Sequence, residues 1–321
     1  MNIINNDFVS GFFAVATSAG QNRDAVLIDS FTSQAPLLKH MQWSKANRTI
    51  AHTYREVTAI EGVGAFDLDG KMADMKVSFQ LGDAKLFPFG GRMELGEDTS
   101  RLMGSPDTFF REQRILLARQ GGQRLERAFF EKIVSTAVEK NRVFSYDPST
   151  ADNSGVTIAV VSWAGYETCA LYSPAFQKPD GDFWELEKYH KGAVYPNRDG
   201  VNVFGAYCKL MAGLLLANPR AYAVLRNVPL NTDSKDFPKR FASAMANVID
   251  EANPNDKATV IMPRQYKVRI GSAVSQHGTA NALIQFDNQF NLRIAGVEVI
   301  GSPNLPLNFR LPSEVELEEE A

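Results

Sequence analysis

The residues able to carry chemistry are few and scattered. Four histidines, His40, His52, His190 and His277, stand far apart with no pair four residues from one another, so no helix presents two imidazoles to one metal. Two cysteines, Cys169 and Cys208, are too few for a disulfide framework or a thiolate zinc site, and Cys208 reads as a small apolar core thiol. Asp67, Asp69 and Gly70 resemble part of a calcium loop, but an EF-hand needs a further ligand before the glycine and a chelating glutamate at its end. The motif reads as a turn. Gly62 and Gly64 lack the third glycine and the strand-to-helix setting of a dinucleotide cradle. No G-x-x-x-x-G-K-[ST] phosphate loop, H-E-x-x-H helix, G-x-S-x-G elbow or C-x-x-C pair occurs. Carboxylate pairs can be chosen anywhere among 37 acids, so none is singled out for glycoside chemistry. The expectation is a chain with no catalytic residue, no cofactor and no metal. A cytosolic enzyme whose site escapes these patterns is the alternative.

Composition points the same way. With 321 residues, 44% of them hydrophobic and 22% charged, the chain has material for one large globular domain or two modest ones. The net charge of −3 removes the long-range attraction that drives sequence-neutral DNA binding, so nucleic acid nearby must be confined rather than gripped. The cysteine usage fits a reducing cytoplasm. Phe8 to Val15, followed by Ala16, Thr17, Ser18 and Ala19, has the shape of a secretion signal, but Asp7 stands where a Lys or Arg belongs, and cleavage is not expected. The other long apolar run, Leu210 to Ala217, is far too short to span a bilayer, and no membrane partner is expected.

The elements that would position any site are clearest between Tyr54 and Lys140. Thr53 to Ile60 reads as a strand, and Met75 to Leu81 alternates so that Met75, Val77, Phe79 and Leu81 share a face. The glycines and the Asp67-Gly70 turn between them predict a hairpin whose return continues through Leu86 to Glu94, with Gly90 and Gly91 supplying backbone angles closed to other residues. A two-stranded ribbon is marginal alone, so it must lie on something else. A long helix follows, opened by Ser105 or Asp107 as N-cap with Pro106 in the first turn, and running to about Lys140. Ala118, Leu125, Phe129, Ile133 and Ala137 form its apolar stripe, and Gly121-Gly122 interrupts it as a bend or hinge.

Elsewhere the pattern is coarser. Gln34 to Trp43 reads as an arm helix with Leu37, Leu38 and Met41 on one face. Val156–Trp163 and Glu167–Tyr172 read as strands joined at Ala164-Gly165; Gln177–Gly200 is an insertion-like polar stretch; Val201–Val228 is strand or buried helix. Ser234 or Asp236 caps a helix with Phe237, Phe241, Met245, Val248 and Ile249 on one face, stopped at Asn253-Pro254. Strands follow at Ala258–Met262, Leu283–Phe286 and Leu292–Ile300, and the chain ends on Glu314, Glu316, Glu318, Glu319 and Glu320, an acidic tail that some partner within or between subunits should hold.

The order of these parts resembles the major capsid proteins of tailed bacteriophages, of the Hong Kong 97-type fold, in particular the short-tailed branch typified by epsilon-fifteen. The segments carrying the resemblance are the arm around Leu37-Leu38-Lys39-His40-Met41, Gly90-Gly91-Arg92-Met93-Glu94, Phe109-Phe110-Arg111-Glu112-Gln113, Val160-Val161-Ser162-Trp163, Leu171-Tyr172-Ser173-Pro174, the run Gly213 to Val228, and Gly296-Val297-Glu298-Val299-Ile300. Together they span nearly the whole chain. Two departures stand out: the Gly121-Gly122 pair, and the stretch from Gln177 to Gly200.

The resemblance implies an α+β fold: an N-terminal arm at 1–51, an extended hairpin loop at 52–105, a peripheral domain with the spine helix at 106–232, an axial domain at 233–312 and an acidic tail at 313–321. The peripheral sheet is assigned to 156–228. The implied role is self-assembly as hexamers and pentamers into an icosahedral shell around double-stranded DNA, built in the bacterial cytoplasm and found in the virion. Scaffolding, portal and cement proteins are the implied partners. An encapsulin-type compartment is the alternative within the fold. Phe87, Phe89, Arg92 and Glu94 are assigned to intersubunit contact, against core packing or a solvated face, and Gly121 and Gly122 to a hinge. Deleting Gly70 to Phe89 is expected to leave a foldable monomer that makes no shells.

Overall fold

The computed structural model describes residues 35–61, 74–103, 105–147, 155–176, 185–277, 283–286 and 291–311. The expected turn at Asp67-Gly70, the signal-like run and the acidic tail lie outside them. Helix α1 (Pro36–His40) opens the described chain, followed by β1 (Trp43–Lys45), β2 (Ala51–Glu61) and β3 (Lys76–Gly96). Next come α2 (Glu97–Met103), α3 (Pro106–Glu139), β4 (Val143–Ser145), β5 (Val156–Ser162), β6 (Thr168–Tyr172), β7 (Glu185–Lys188) and β8 (Tyr195–Pro196). The rest is β9 (Asn202–Leu216), β10 (Tyr222–Val228), α4 (Phe237–Glu251), β11 (Ala258–Pro263), α5 (Arg264–His277), β12 (Ile284–Phe286), β13 (Leu292–Ile294) and β14 (Val297–Ser302).

Two sheets form. The first runs β1-β6-β9-β3-β2, with β7 and β8 also paired to β9; the second runs β12-β13-β14-β11-β5-β10-β4. Helix α3 joins them. Ser105 caps it, its hydroxyl accepting from the Asp107 N–H at 3.3 Å, and Pro106 fills the first turn where no amide partner is needed. The expected stripe, Ala118, Leu125, Phe129, Ile133 and Ala137, is buried in one core with Met93, Leu95, Ala206, Leu210 and Leu214 of the first sheet and Ala159, Val161, Val224, Ile261 and Ile300 of the second. The alternate residues of the second sheet, Ile158, Val160, Leu225, Val260 and Met262, pack with α4 and α5 on its other face. That is why β5 is buried at every position and reads as an unbroken apolar run: it has no solvent side to mark with polar residues.

Several expectations need correction. The arm helix is five residues long rather than ten, because the chain leaves it at Met41 to pair β1 with β6, and the Trp43 indole donates back to the Leu38 carbonyl at 3.2 Å. Helix α3 runs through Gly121-Gly122 without a break, with Gly122 buried, so the expected interruption is absent. Gly90 and Gly91 keep ordinary strand angles. A Cβ on Gly90 would stand 2.1 Å from the Cys208 carbonyl oxygen across the β3–β9 ladder, so glycine is there for close backbone approach rather than backbone freedom. The turn after β5 does not close a hairpin of two paired strands: β5 enters the second sheet and β6 the first. The stretch Val201–Val228 resolves into β9 and β10, broken where the Asn218 side-chain oxygen accepts from the Arg220 N–H at 3.0 Å. A sheet confined to 156–228 does not form either, since β5 pairs β11 from beyond residue 233 and β9 lies in the other sheet.

Candidate assembly surface

Strand β3 organises the surface. Its first half pairs with β2, from Lys76↔Glu61 to Lys85↔Ala51, and its second half pairs with β9, from Leu86↔Gly213 to Gly96↔Val203. The β3 side of both ladders is continuous, so the odd-numbered residues from Val77 to Leu95 lie on one face throughout. That face carries a single apolar stripe: Val77, Phe79, Leu81, then Phe87, Phe89, Met93 and Leu95. Its fate changes along the strand. Leu95 and Met93 are 4% and 8% exposed beneath α3, whereas Phe87, Phe79 and Leu81 are 55%, 57% and 70% exposed.

The ribbon is anchored only at its base. On the even-numbered face Ala84 packs with Cys169, Leu171 and Leu215, and Leu86 with Ala46 and Met211. Lys140 at the end of α3 reaches Glu56 at 3.5 Å, an exposed pair that contributes little alone. The Arg55 guanidinium lies 6.0 Å from the Phe79 ring centre, an interaction within the ribbon rather than with the body.

Strand parity separates the four expected contact residues. Phe87 and Phe89 share the face that meets α3, and Phe89 is partly packed against the main core. Arg92 and Glu94 point the other way and bond to each other, with the Tyr195 hydroxyl donating to Glu94 and accepting from Arg92, each at 3.1 Å. Arg92 also sits 4.9 Å from the Tyr189 ring centre. Tyr189 and Tyr195 belong to the polar stretch before β9, which folds onto the β9 edge as β7 and β8.

A residue that sequence reasoning missed is Glu126. It is fully buried on α3 and accepts from the Leu37 N–H at 2.8 Å, the Ser302 hydroxyl at 2.8 Å and the Asn304 side-chain amide. Burial raises its pKa above the ordinary carboxylate value, and those three hydrogen bonds pull it back in part. One carboxylate thereby ties the arm, the long helix and the end of β14 together. Its signal was visible: an acid beside Leu125 and four residues before Phe130, inside the apolar stripe.

Neither thiol is set up as a nucleophile. Burial pushes Cys169 and Cys208 each up to about 11, so both stay protonated at neutral pH. Among the described residues, no three of His, Cys, Asp and Glu gather at a site for a metal, and no helix is long and apolar enough to cross a membrane.

No family model matches the chain, and no curated protein sequence does. Solved structures do. A chain in the structure of bacteriophage epsilon15 superposes at a TM-score of 0.51 with 10% identity, covering 84% of this chain and 86% of that one. The bacteriophage JBD30 capsid gives 0.48 at 10% identity over 86% and 90%, and the SrpI encapsulin complex of Synechococcus elongatus gives 0.40 at 12% over 61% and 88%. At such identities the likeness is one of fold, and the fold is the Hong Kong 97-type capsid fold.

Proposed function

We propose that this chain is the major capsid protein of a tailed bacteriophage, in the short-tailed epsilon15-like branch, assembling as hexamers and pentamers into an icosahedral shell that encloses double-stranded DNA. One observation carries the reading: the apolar stripe of β3 continues past the end of its own core, leaving Phe79 and Leu81 more than half exposed on a ribbon with nothing beneath it. Covering the stripe takes a second surface. In a closed shell that surface is a neighbouring copy of the same chain, and each such contact can be modest because a subunit held at several sites leaves only when all release. The net charge of −3 suits a wall that confines DNA without binding it tightly. Gly121 and Gly122 are the place where α3 bends between hexamer and pentamer surroundings, since two glycines weaken a helix by about 1 kcal/mol each relative to alanine.

The test is a shortened ribbon. Removing Gly70 to Phe89 is unsuitable, because Ala84 and Leu86 are buried and Leu86 to Phe89 pair with β9. Glu56 and Gln80 are direct cross-strand partners, so residues 57–79 can be replaced by an Asn-Gly turn that closes the hairpin at that rung. The shortened chain should keep its melting temperature and form no particles under the electron microscope, while the intact chain forms shells. Shells from the shortened chain would refute the reading. Native particles filled with protein rather than DNA would replace the phage by a cargo compartment.

A further inference from the structure

Beside α3, below the level where it covers β3, lies a groove of about 570 Å³. Phe87, Phe89 and Phe129 supply its apolar surface, Lys85 and Lys132 its cationic rim, and Leu311 one end. Asp83 and Glu131 are also present, but Glu131 is taken by Arg127 at 3.1 Å on the same helix. The groove is of the size that receives a small ligand, roughly 300–1,000 Å³. It admits the side chains of a short extended segment rather than a helix.

We infer that the groove is the seat of this chain's own acidic segment, Ser313 to Glu320. Three observations converge. Leu311, the last described residue, is itself buried and lines the groove, so the segment enters it within two residues. Its sequence, Ser-Glu-Val-Glu-Leu-Glu-Glu-Glu, alternates: in an extended strand Val315 and Leu317 face one way, toward Phe87, Phe89 and Phe129, while Glu314, Glu316 and Glu318 fall on the other side, within reach of Lys85 and Lys132. Eight extended residues span roughly 26 Å at about 3.3 Å each, ample to cross the groove. A segment tethered at Leu311 also acts at an effective concentration on the order of millimolar, so it takes the groove before a free copy can. The segment therefore closes the middle of the β3 stripe from within the chain, leaving only the distal ribbon for a neighbour.

Lysine footprinting on the unassembled full chain tests this without reference to shells. Acylation of Lys85 and Lys132 by an amine-reactive ester should be several-fold slower in the native chain than in the full-length Val315→Ser/Leu317→Ser variant, with Lys239, outside the groove, unchanged. A chain ending at Leu311 should label like the variant. The protection should be independent of protein concentration and weaken at high salt. Equal rates in native and variant chains overturn the proposal. So does protection that grows with concentration, which would place the segment in a second copy.

Discussion

The two halves of β3 are one strand with one apolar face and opposite fates. From Leu86 to Gly96 it lies between β9 and α3 and buries Met93 and Leu95; from Lys76 to Lys85 it has β2 on one edge and no layer over its odd-numbered face, so Phe79 and Leu81 stay in solvent. Hydrogen bonding does not distinguish the halves, since both are fully laddered. The second layer does. A sheet needs a covering surface before its apolar side chains stabilise it, by about 1.5–3 kcal/mol for each large residue buried, and half of β3 has no such surface in its own chain.

The largest effect should separate the halves outright. Leu95→Ala is expected to cost about 2–5 kcal/mol in denaturant unfolding, the range for a buried leucine that leaves a cavity. Glu126→Gln tests the helix that does the covering. It replaces acceptor oxygens facing three donors by a group that can satisfy only part of them, at a cost of about 1–3 kcal/mol. Its pH signature has a definite sign. A carboxyl whose folded pKa is raised holds its proton longer in the folded chain, so the Glu126 contribution is fully present below the unfolded value near 4.3 and is lost as pH rises through the raised folded value. The Gln variant should lack that decline; an unchanged slope in urea titrations across this window would show that Glu126 does not titrate there.

Smaller effects sharpen the contrast. Gly90→Ala drives a methyl into the Cys208 backbone and should cost about 1–3 kcal/mol, because both strands must shift. At Gly82 on the ribbon the same methyl meets only the end of the Tyr54 side chain, at 2.5 Å, which can swing aside, so Gly82→Ala should cost clearly less. Equal costs for the two glycines would break the comparison. The smallest stability effect is expected at Leu81→Ser, within about 0.5 kcal/mol, as for other exposed positions. Assembly, read by sedimentation, should nevertheless fall sharply. A variant that unfolds readily would mean the ribbon is already covered within the chain.

Much of this was legible before any coordinates. Ser105-Pro106 and the stripe from Ala118 to Ala137 located α3, because a capped amphipathic helix is specified by neighbours within a turn. The missing cover for Met75 to Leu81 could be read as a hairpin with no core of its own. The α5 helix was overlooked although Tyr266, Ile270 and Ala273 recur at helical spacing. The odd-even separation of Phe87 and Phe89 from Arg92 and Glu94 was likewise available from strand periodicity.

What the sequence alone determined is local: capping, periodicity, turn chemistry and the absence of grouped catalytic residues, each settled by residues a few positions apart. Only the tertiary structure decided which strands share a sheet, that β5 and β6 part company, that Gly90 is a point of close approach, and that Glu126 meets Leu37, Ser302 and Asn304. Those outcomes depend on contacts between residues as many as 178 positions apart. No local pattern encodes them, because the energy that selects them comes from layers brought together only when the whole chain folds.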